Sequence, residues 1–68
     1  MKTRYFKALN SFVAERRIFK EGEVYPAEYE NNSVIFIAEN GNFRFTERAF
    51  EKLVIAWDDS IEEVQDED

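Results

Sequence analysis

Residues 23–46 read EVYPAEYENNSVIFIAENGNFRFT, and they carry the strongest structural signal in the sequence. It contains two candidate two-residue turns, Asn31-Asn32 and Asn40-Gly41, whose residues tolerate the positive φ angles of tight hairpins. The segments beside these turns are rich in β-branched and aromatic residues, which favour strands. The stretch therefore predicts a three-stranded antiparallel meander over residues 23–46.

The two turns also predict the register of the meander. A turn at Asn31-Asn32 pairs Ala27 with Phe36, and a turn at Asn40-Gly41 pairs Phe36 with Phe45. Successive side chains of a strand point to opposite faces, so both registers assign the same residues to one face. That predicted core face consists of Tyr25, Ala27, Tyr29, Val34, Phe36, Ala38, Phe43 and Phe45.

The opposite face of the meander is mixed in polarity. Ile35 and Ile37 are apolar on a face that would otherwise be solvated, and the other residues of this face are Val24, Pro26, Glu28, Asn42 and Arg44. One interpretation is that the sheet curls until both faces are covered, as in a small barrel. The other is an exposed apolar patch that binds a partner.

A short helix is predicted directly after the meander. Thr46 is a suitable N-cap and Glu47 places an acid in the first turn, so residues 47–53 are expected to be helical. Residues 54–57, Val-Ile-Ala-Trp, favour a final strand. Residues 1–57 are then expected to form one small β-rich domain.

The segment from Tyr5 to Val13 allows two interpretations. Its apolar residues recur at helical spacing. The same segment also suits a strand that is kinked at Asn10-Ser11.

Three segments resemble small phage and prophage proteins that form an SH3-like β-barrel. Residues 7–13, KALNSFV, and residues 17–25, RIFKEGEVY, are similar to the opening of those proteins. Residues 47–53, ERAFEKL, are similar to the short helix that often closes them. The resemblance implies that residues 5–13 form a strand, and that the chain is a mainly β protein, either a small SH3-like barrel or a curled antiparallel sheet. It also implies a binding or structural module of phage origin, without catalytic residues.

Charge is distributed unevenly along the chain. The 68 residues include 9 Lys and Arg and 15 Asp and Glu, for a net charge of -6. Seven of the acids lie in residues 58–68, which we interpret as an acidic tail that is either flexible or a short helix. Residues 1–20 carry a net charge of +5 and residues 21–39 a net charge of -5.

The composition excludes several kinds of chemistry. Without Cys or His there is no disulfide, thiol nucleophile, imidazole base or zinc-finger site. The two glycines are isolated, so no glycine-rich phosphate loop is present. We expect no enzymatic activity, no cofactor and no bound metal. The apolar runs are too short to span a membrane, and we expect a protein of the host-cell cytoplasm without membrane contact.

These observations lead us to expect a non-enzymatic protein–protein interaction module, encoded by a phage, that inhibits or modulates a host protein. A homodimer that buries the Ile35 and Ile37 face is also possible. The candidate partner-binding residues are Ile35, Ile37 and Arg44 on the second sheet face and Asp58, Asp59, Glu62 and Glu63 in the tail.

Two further functions stay open from the sequence. The basic N-terminal third could bind nucleic acid through Arg16, Arg17 and Lys20, with nearby aromatic residues available for stacking. The other alternative is a structural component of a virion.

Overall fold

The computed structural model describes residues 2–65. Within that range, five strands form one antiparallel sheet in the order β6-β5-β4-β1-β7, and β2 and β3 form a separate two-stranded hairpin. The elements are β1 (Lys2–Ala8), β2 (Phe12–Ala14), β3 (Arg17–Phe19), β4 (Val24–Glu30), β5 (Ser33–Ala38), β6 (Gly41–Thr46), α1 (Glu47–Ala56) and β7 (Ile61–Val64).

The predicted meander is confirmed as strands β4, β5 and β6. Asn31 and Asn32 form the first turn with φ angles of 48° and 68°, and Ala27 pairs with Phe36 as expected. The mainly β fold class is therefore confirmed. The sheet of residues 2–65 does not close into a barrel, because β6 and β7 are its two edges.

The predicted register of the second hairpin is wrong by two residues. Phe36 pairs with Phe43 rather than Phe45, because Glu39 and Asn40 form the turn. A shift of two leaves every side chain on its predicted face. The physical reason is tertiary: the Asn40 side chain accepts a hydrogen bond from the Ile18 amide and donates one to the Arg16 carbonyl.

The core lies on one side of the five-stranded sheet, which we call the inner face. Helix α1 and the β2–β3 hairpin both pack on this face. Phe6, Phe36 and Phe50 make edge-to-face contacts at ring-centroid distances of 5.4–5.8 Å, and Phe19 lies 5.4 Å from Phe36. Full burial of each such ring contributes about 2–3 kcal/mol, so these four rings are a large share of the stability of so small a domain.

Helix α1 begins as predicted and ends later. The Thr46 hydroxyl accepts a hydrogen bond from the Ala49 amide, which confirms the N-cap. The helix continues to Ala56, so the predicted strand over 54–57 is wrong. Leu53, Val54 and Trp57 follow Phe50 at helical spacing and pack against the core, which outweighs the β-propensity of this segment.

The N-terminal segment is a strand, and the helical interpretation of residues 5–13 is wrong. Strand β1 ends at Ala8, residues 9–11 carry no strand, and Phe12 begins the β2–β3 hairpin. Phe6 and Ala8 are buried in the core while Lys7 between them is exposed, which is the alternation of a strand.

The interpretation of residues 58–68 as a flexible or helical tail is wrong for residues 61–64. These residues form β7, which pairs with β1 at the edge of the sheet. Ile61 is buried in the core, and Arg4 donates two hydrogen bonds to Glu63, at 3.0 and 2.7 Å. Residues 66–68 of the predicted tail lie outside the described residues.

Candidate protein-binding surfaces

The outer face is the side of the five-stranded sheet opposite α1 and the β2–β3 hairpin. Val64 lies opposite Tyr5, and Tyr5 lies opposite Pro26, so an apolar row crosses three strands. Ile35 and Ile37 continue this apolar surface on β5, and all five side chains are partly exposed. The outer face is defined here by Tyr5, Pro26, Ile35, Ile37 and Val64.

Charged residues of both signs surround the apolar row. Arg44 and Glu28 lie on either side of Ile35, on the neighbouring strands β6 and β4. Lys7 lies opposite Glu62 on β1 and β7. The surface therefore has an apolar centre and a rim of mixed charge.

The seven predicted partner-binding residues do not form one surface. Ile35, Ile37, Arg44 and Glu62 belong to the outer face or its rim, whereas Asp58 and Asp59 are exposed in the turn between α1 and β7. Glu63 pairs with Phe6 and so belongs to the inner face.

Glu63 is occupied by a structural contact. Arg4 is held between Glu63 and Glu51, with ion-pair distances of 2.7 and 2.6 Å, and its guanidinium also donates to the Tyr29 hydroxyl. The hydrogen bonds from Arg4 lower the pKa of Glu63. This cluster joins β7 to α1 and β4, so Glu63, which is also exposed at the surface, contributes to the fold.

A groove of about 670 Å³ lies between strand β6 and helix α1. Phe43 and Phe45 line it from the strand, and Leu53 and Trp57 line it from the helix. We call it the β6–α1 groove. The residues that line it are Glu15, Arg17, Asn42, Phe43, Arg44, Phe45, Ala49, Lys52, Leu53, Ala56 and Trp57.

The groove has a cationic border. Arg17, Arg44 and Lys52 line it together with one acid, Glu15. Arg17 donates from Nε to the Asn42 carbonyl at 3.1 Å, and its guanidinium carbon lies 5.6 Å from the centre of the Phe43 ring. A side chain at Gly41 would meet this guanidinium, since a Cβ atom there would lie 2.8 Å from Arg17 Nε.

The three residues predicted for nucleic-acid binding lie in three different places on the surface. Arg17 enters the β6–α1 groove, Arg16 is exposed in the turn of the β2–β3 hairpin, and Lys20 is exposed after the end of β3. The groove could not be predicted from the sequence, because it combines residues of the β2–β3 hairpin, β6 and α1 that no local pattern joins.

Strand β6 is an edge strand, so one side of its backbone pairs with no other strand of residues 2–65. In an antiparallel pair, both backbone groups of a residue point to the same side of the strand. The Asn42 carbonyl binds Arg17 and so points away from β5. Arg44, two residues later, must therefore present its N–H and C=O to the same open edge, where no other strand of residues 2–65 pairs with β6.

Three other findings apply to the described part of the chain. Residues 2–65 contain no group of three carboxylates close enough to hold a metal ion. No helix in this range is long and apolar enough to cross a membrane. Every buried side-chain nitrogen or oxygen atom in this range has a hydrogen-bond partner.

Comparison of the chain with protein-family models, with curated proteins and with solved structures found no match.

Proposed function

We propose that the protein is a non-enzymatic protein–protein interaction module that binds a different protein through its outer face. The observation that supports this most strongly is the apolar row of Tyr5, Pro26 and Val64, continued by Ile35 and Ile37, on the side of the sheet away from the core. Side chains on the solvent face of an antiparallel sheet are usually polar. A contiguous apolar surface there favours burial against a partner.

The size of the face favours a different protein over a second copy of the chain. Five strands at ~4.8 Å spacing, each contributing about six residues at ~3.3 Å per residue, cover roughly 500 Å². A symmetric pair that uses only this face would bury on the order of 1,000 Å², below the ~1,200 Å² of a stable interface. A different protein can extend past the sheet onto the adjoining strand edges and reach the required area.

The charged rim supports a specific orientation of the partner. Lys7 and Arg44 are basic, and Glu28 and Glu62 are acidic, so the partner needs complementary charges of both signs around an apolar centre. The resemblance to small SH3-like phage proteins leads us to propose that the partner is a host protein, which the chain inhibits or modulates in the host cytoplasm.

The proposal is tested by capture of a bacterial protein on immobilised wild-type chain and on the Ile35→Thr/Ile37→Thr variant. Threonine keeps the β-branched shape that suits a strand, so the fold is retained while the apolar surface is lost. Val13→Thr is the matched control, because Val13 is 67% exposed on a strand remote from this face. We expect one stoichiometric partner on wild type and on the control, and at least tenfold weaker binding of the purified partner to the double variant.

Three results would contradict the proposal. Undiminished binding to the double variant would assign the contact to another surface. A wild-type dimer in sedimentation that the double variant converts to a monomer would identify a second copy as the occupant of the face. Capture abolished by nuclease would favour the nucleic-acid alternative.

A further inference from the structure

We propose that the β6–α1 groove binds an acidic peptide segment in extended conformation, which adds to β6 as a further strand of the sheet. This site lies on the other side of β6 from the outer face and shares Arg44 with its rim, and the proposal does not depend on the function proposed above. Three properties of the groove carry it: an open strand edge, an apolar lining and a cationic border.

The open edge provides the hydrogen bonds. The N–H and C=O of Arg44 point away from β5, for the reason given above, and the Asn42 carbonyl next to them is already bound by Arg17. An unpaired strand edge is a template for another extended chain. A short peptide strand beside β6 would exchange its backbone hydrogen bonds with Arg44.

The lining provides contacts for alternate side chains of such a strand. Phe43 and Phe45 on β6 form one wall, and α1 residues that share one helix face form the other. Strand addition beside a helix commonly obtains affinity from the backbone and specificity from pockets for alternate side chains. The side chains that enter this groove would be apolar, because Leu53, Ala56 and Trp57 are the groups they would contact.

The border selects an acidic segment. Arg17, Arg44 and Lys52 give the groove an excess of positive charge over Glu15, although the chain as a whole has a net charge of -6. Arg17 is held in place by its hydrogen bond to Asn42 and by the Phe43 ring, so it is fixed before any ligand arrives. A preorganised cation at the end of an open strand edge favours carboxylates in the ligand.

The same groove is poorly suited to single-stranded nucleic acid, which needs exposed aromatic faces for base stacking. The Phe43 ring stacks on Phe19 and Phe45 at 6.1 and 5.5 Å, and Arg17 lies over it. These neighbours compete for the ring faces that base stacking requires, whereas an apolar peptide side chain can also contact the edge of the ring, so the observations favour a peptide.

The first test uses a fluorescein-labelled seven-residue peptide of alternating glutamate and isoleucine, and the same peptide with lysine in place of glutamate. We expect the acidic peptide to bind wild type and the lysine peptide to bind at least tenfold more weakly. The Arg44→Glu/Lys52→Glu variant should bind the acidic peptide at least tenfold more weakly than wild type. Lys20→Glu/Arg48→Glu makes the same change in net charge at exposed residues outside the groove, and should change binding less than twofold.

The second test concerns the backbone. Two versions of the acidic peptide are made, one N-methylated at the odd-numbered residues and the other at the even-numbered residues. One version lacks the N–H groups that face β6 and should not bind, while the other should retain binding. Bound peptide should also slow hydrogen exchange at the Arg44 amide.

Several outcomes would overturn the proposal. They are no binding of the acidic peptide at millimolar concentration, equal weakening by the two charge-reversal variants, equal binding of both methylated peptides, and tighter binding of a single-stranded oligonucleotide than of the acidic peptide. Each of these results leaves the outer-face proposal intact, because that proposal is tested at Ile35 and Ile37, and Arg44 is a residue of its rim that also lines the groove.

Discussion

Two hairpins of the molecule turn through the same backbone conformation with very different residues. The β4–β5 hairpin turns at Asn31 and Asn32, with φ angles of 48° and 68°. The β2–β3 hairpin turns at Glu15 and Arg16, with φ angles of 51° and 66°. Asparagine adopts positive φ readily, whereas glutamate and arginine seldom do.

The β4–β5 hairpin is therefore encoded by its own turn residues, whereas the β2–β3 hairpin is held by contacts with the rest of the fold. Asn40 and Glu39, in the turn between β5 and β6, make three hydrogen bonds of 2.9–3.0 Å to Arg16 and Ile18 of the β2–β3 hairpin. Phe19, at its end, is fully buried among aromatic rings. Packing of the β2–β3 hairpin on the sheet offsets the free-energy cost of its positive-φ turn. The same packing places Arg17 at the β6–α1 groove.

The largest effect is expected from removal of the Phe19 ring. Phe19→Ala should cost about 3–5 kcal/mol, because it leaves a cavity between the hairpin and the sheet. A domain of this size has about 3–5 kcal/mol of stability in total, so the variant should be largely unfolded at 25 °C. Circular dichroism and urea titration measure this.

Val13→Ala on the neighbouring strand is the control, and should change the free energy of unfolding by less than about 0.5 kcal/mol because Val13 is 67% exposed. A folded Phe19→Ala protein that loses under about 1 kcal/mol would show that the hairpin does not depend on docking.

The same contrast explains which parts of the fold could be predicted from the sequence. The meander, its first register and the Thr46 cap depend on local residue preferences, and all three are confirmed. The β2–β3 hairpin carries no turn signal, since Glu15 and Arg16 favour other conformations. The register of the β5–β6 hairpin depends on Asn40 and its bonds to that hairpin, and a local pattern cannot include those bonds.

Strand β7 could not be predicted from the sequence for a related reason. Its acidic composition suggested a solvated tail, and the contacts that order it come from β1, through Arg4, and from burial of Ile61. The face of the sheet that carries Ile35 and Ile37 followed from alternation along β5. The β6–α1 groove could not be predicted in this way, because Arg17 joins Arg44 and Lys52 only after the β2–β3 hairpin has packed on the sheet.

A smaller effect is expected at Asn40, whose side chain joins the turn between β5 and β6 to the β2–β3 hairpin. Asn40→Ala removes the hydrogen bonds to the Ile18 amide and the Arg16 carbonyl, and should cost about 1–2 kcal/mol. Asn42→Ala is the matched control, because Asn42 contributes only its backbone carbonyl to the hydrogen bonds found in residues 2–65. Urea midpoints of the two variants measure the difference, and equal midpoints would contradict the role assigned to Asn40.

Substitutions in the two turns should change the free energy of unfolding in opposite directions, by about 1 kcal/mol each. Glu15→Asn/Arg16→Gly should stabilise the protein, because asparagine and glycine accept the positive φ angles of this turn. Asn31→Glu/Asn32→Arg should destabilise it for the converse reason. Thermal unfolding of both variants is compared with wild type. If the first variant gains nothing, the turn at Glu15 and Arg16 is not a source of strain.

The smallest effect concerns pH and the buried Tyr25 hydroxyl, which secures the end of the β2–β3 hairpin. This hydroxyl accepts a hydrogen bond from the Lys20 amide and donates one to Glu39, both at 2.8 Å. Burial raises the pKa of Tyr25, and the adjacent Glu39 adds to the effect. Because the pKa is higher in the folded state than the ordinary value of about 10, this contribution to stability is complete below pH ~10 and is lost as the pH rises through the folded-state value.

The free energy of unfolding should therefore fall above pH ~10 more steeply in wild type than in Tyr25→Phe, which lacks the ionisable group. The two proteins differ only at residue 25, so the difference between the two curves isolates Tyr25. Hydrogen exchange at high pH should show the Lys20 amide opening before the amides beside Asn31 and Asn32, whose turn contains no ionisable side chain. Parallel stability curves, or simultaneous opening of both hairpins, would mean that the docked hairpin is no more dependent on tertiary contacts than the locally encoded one.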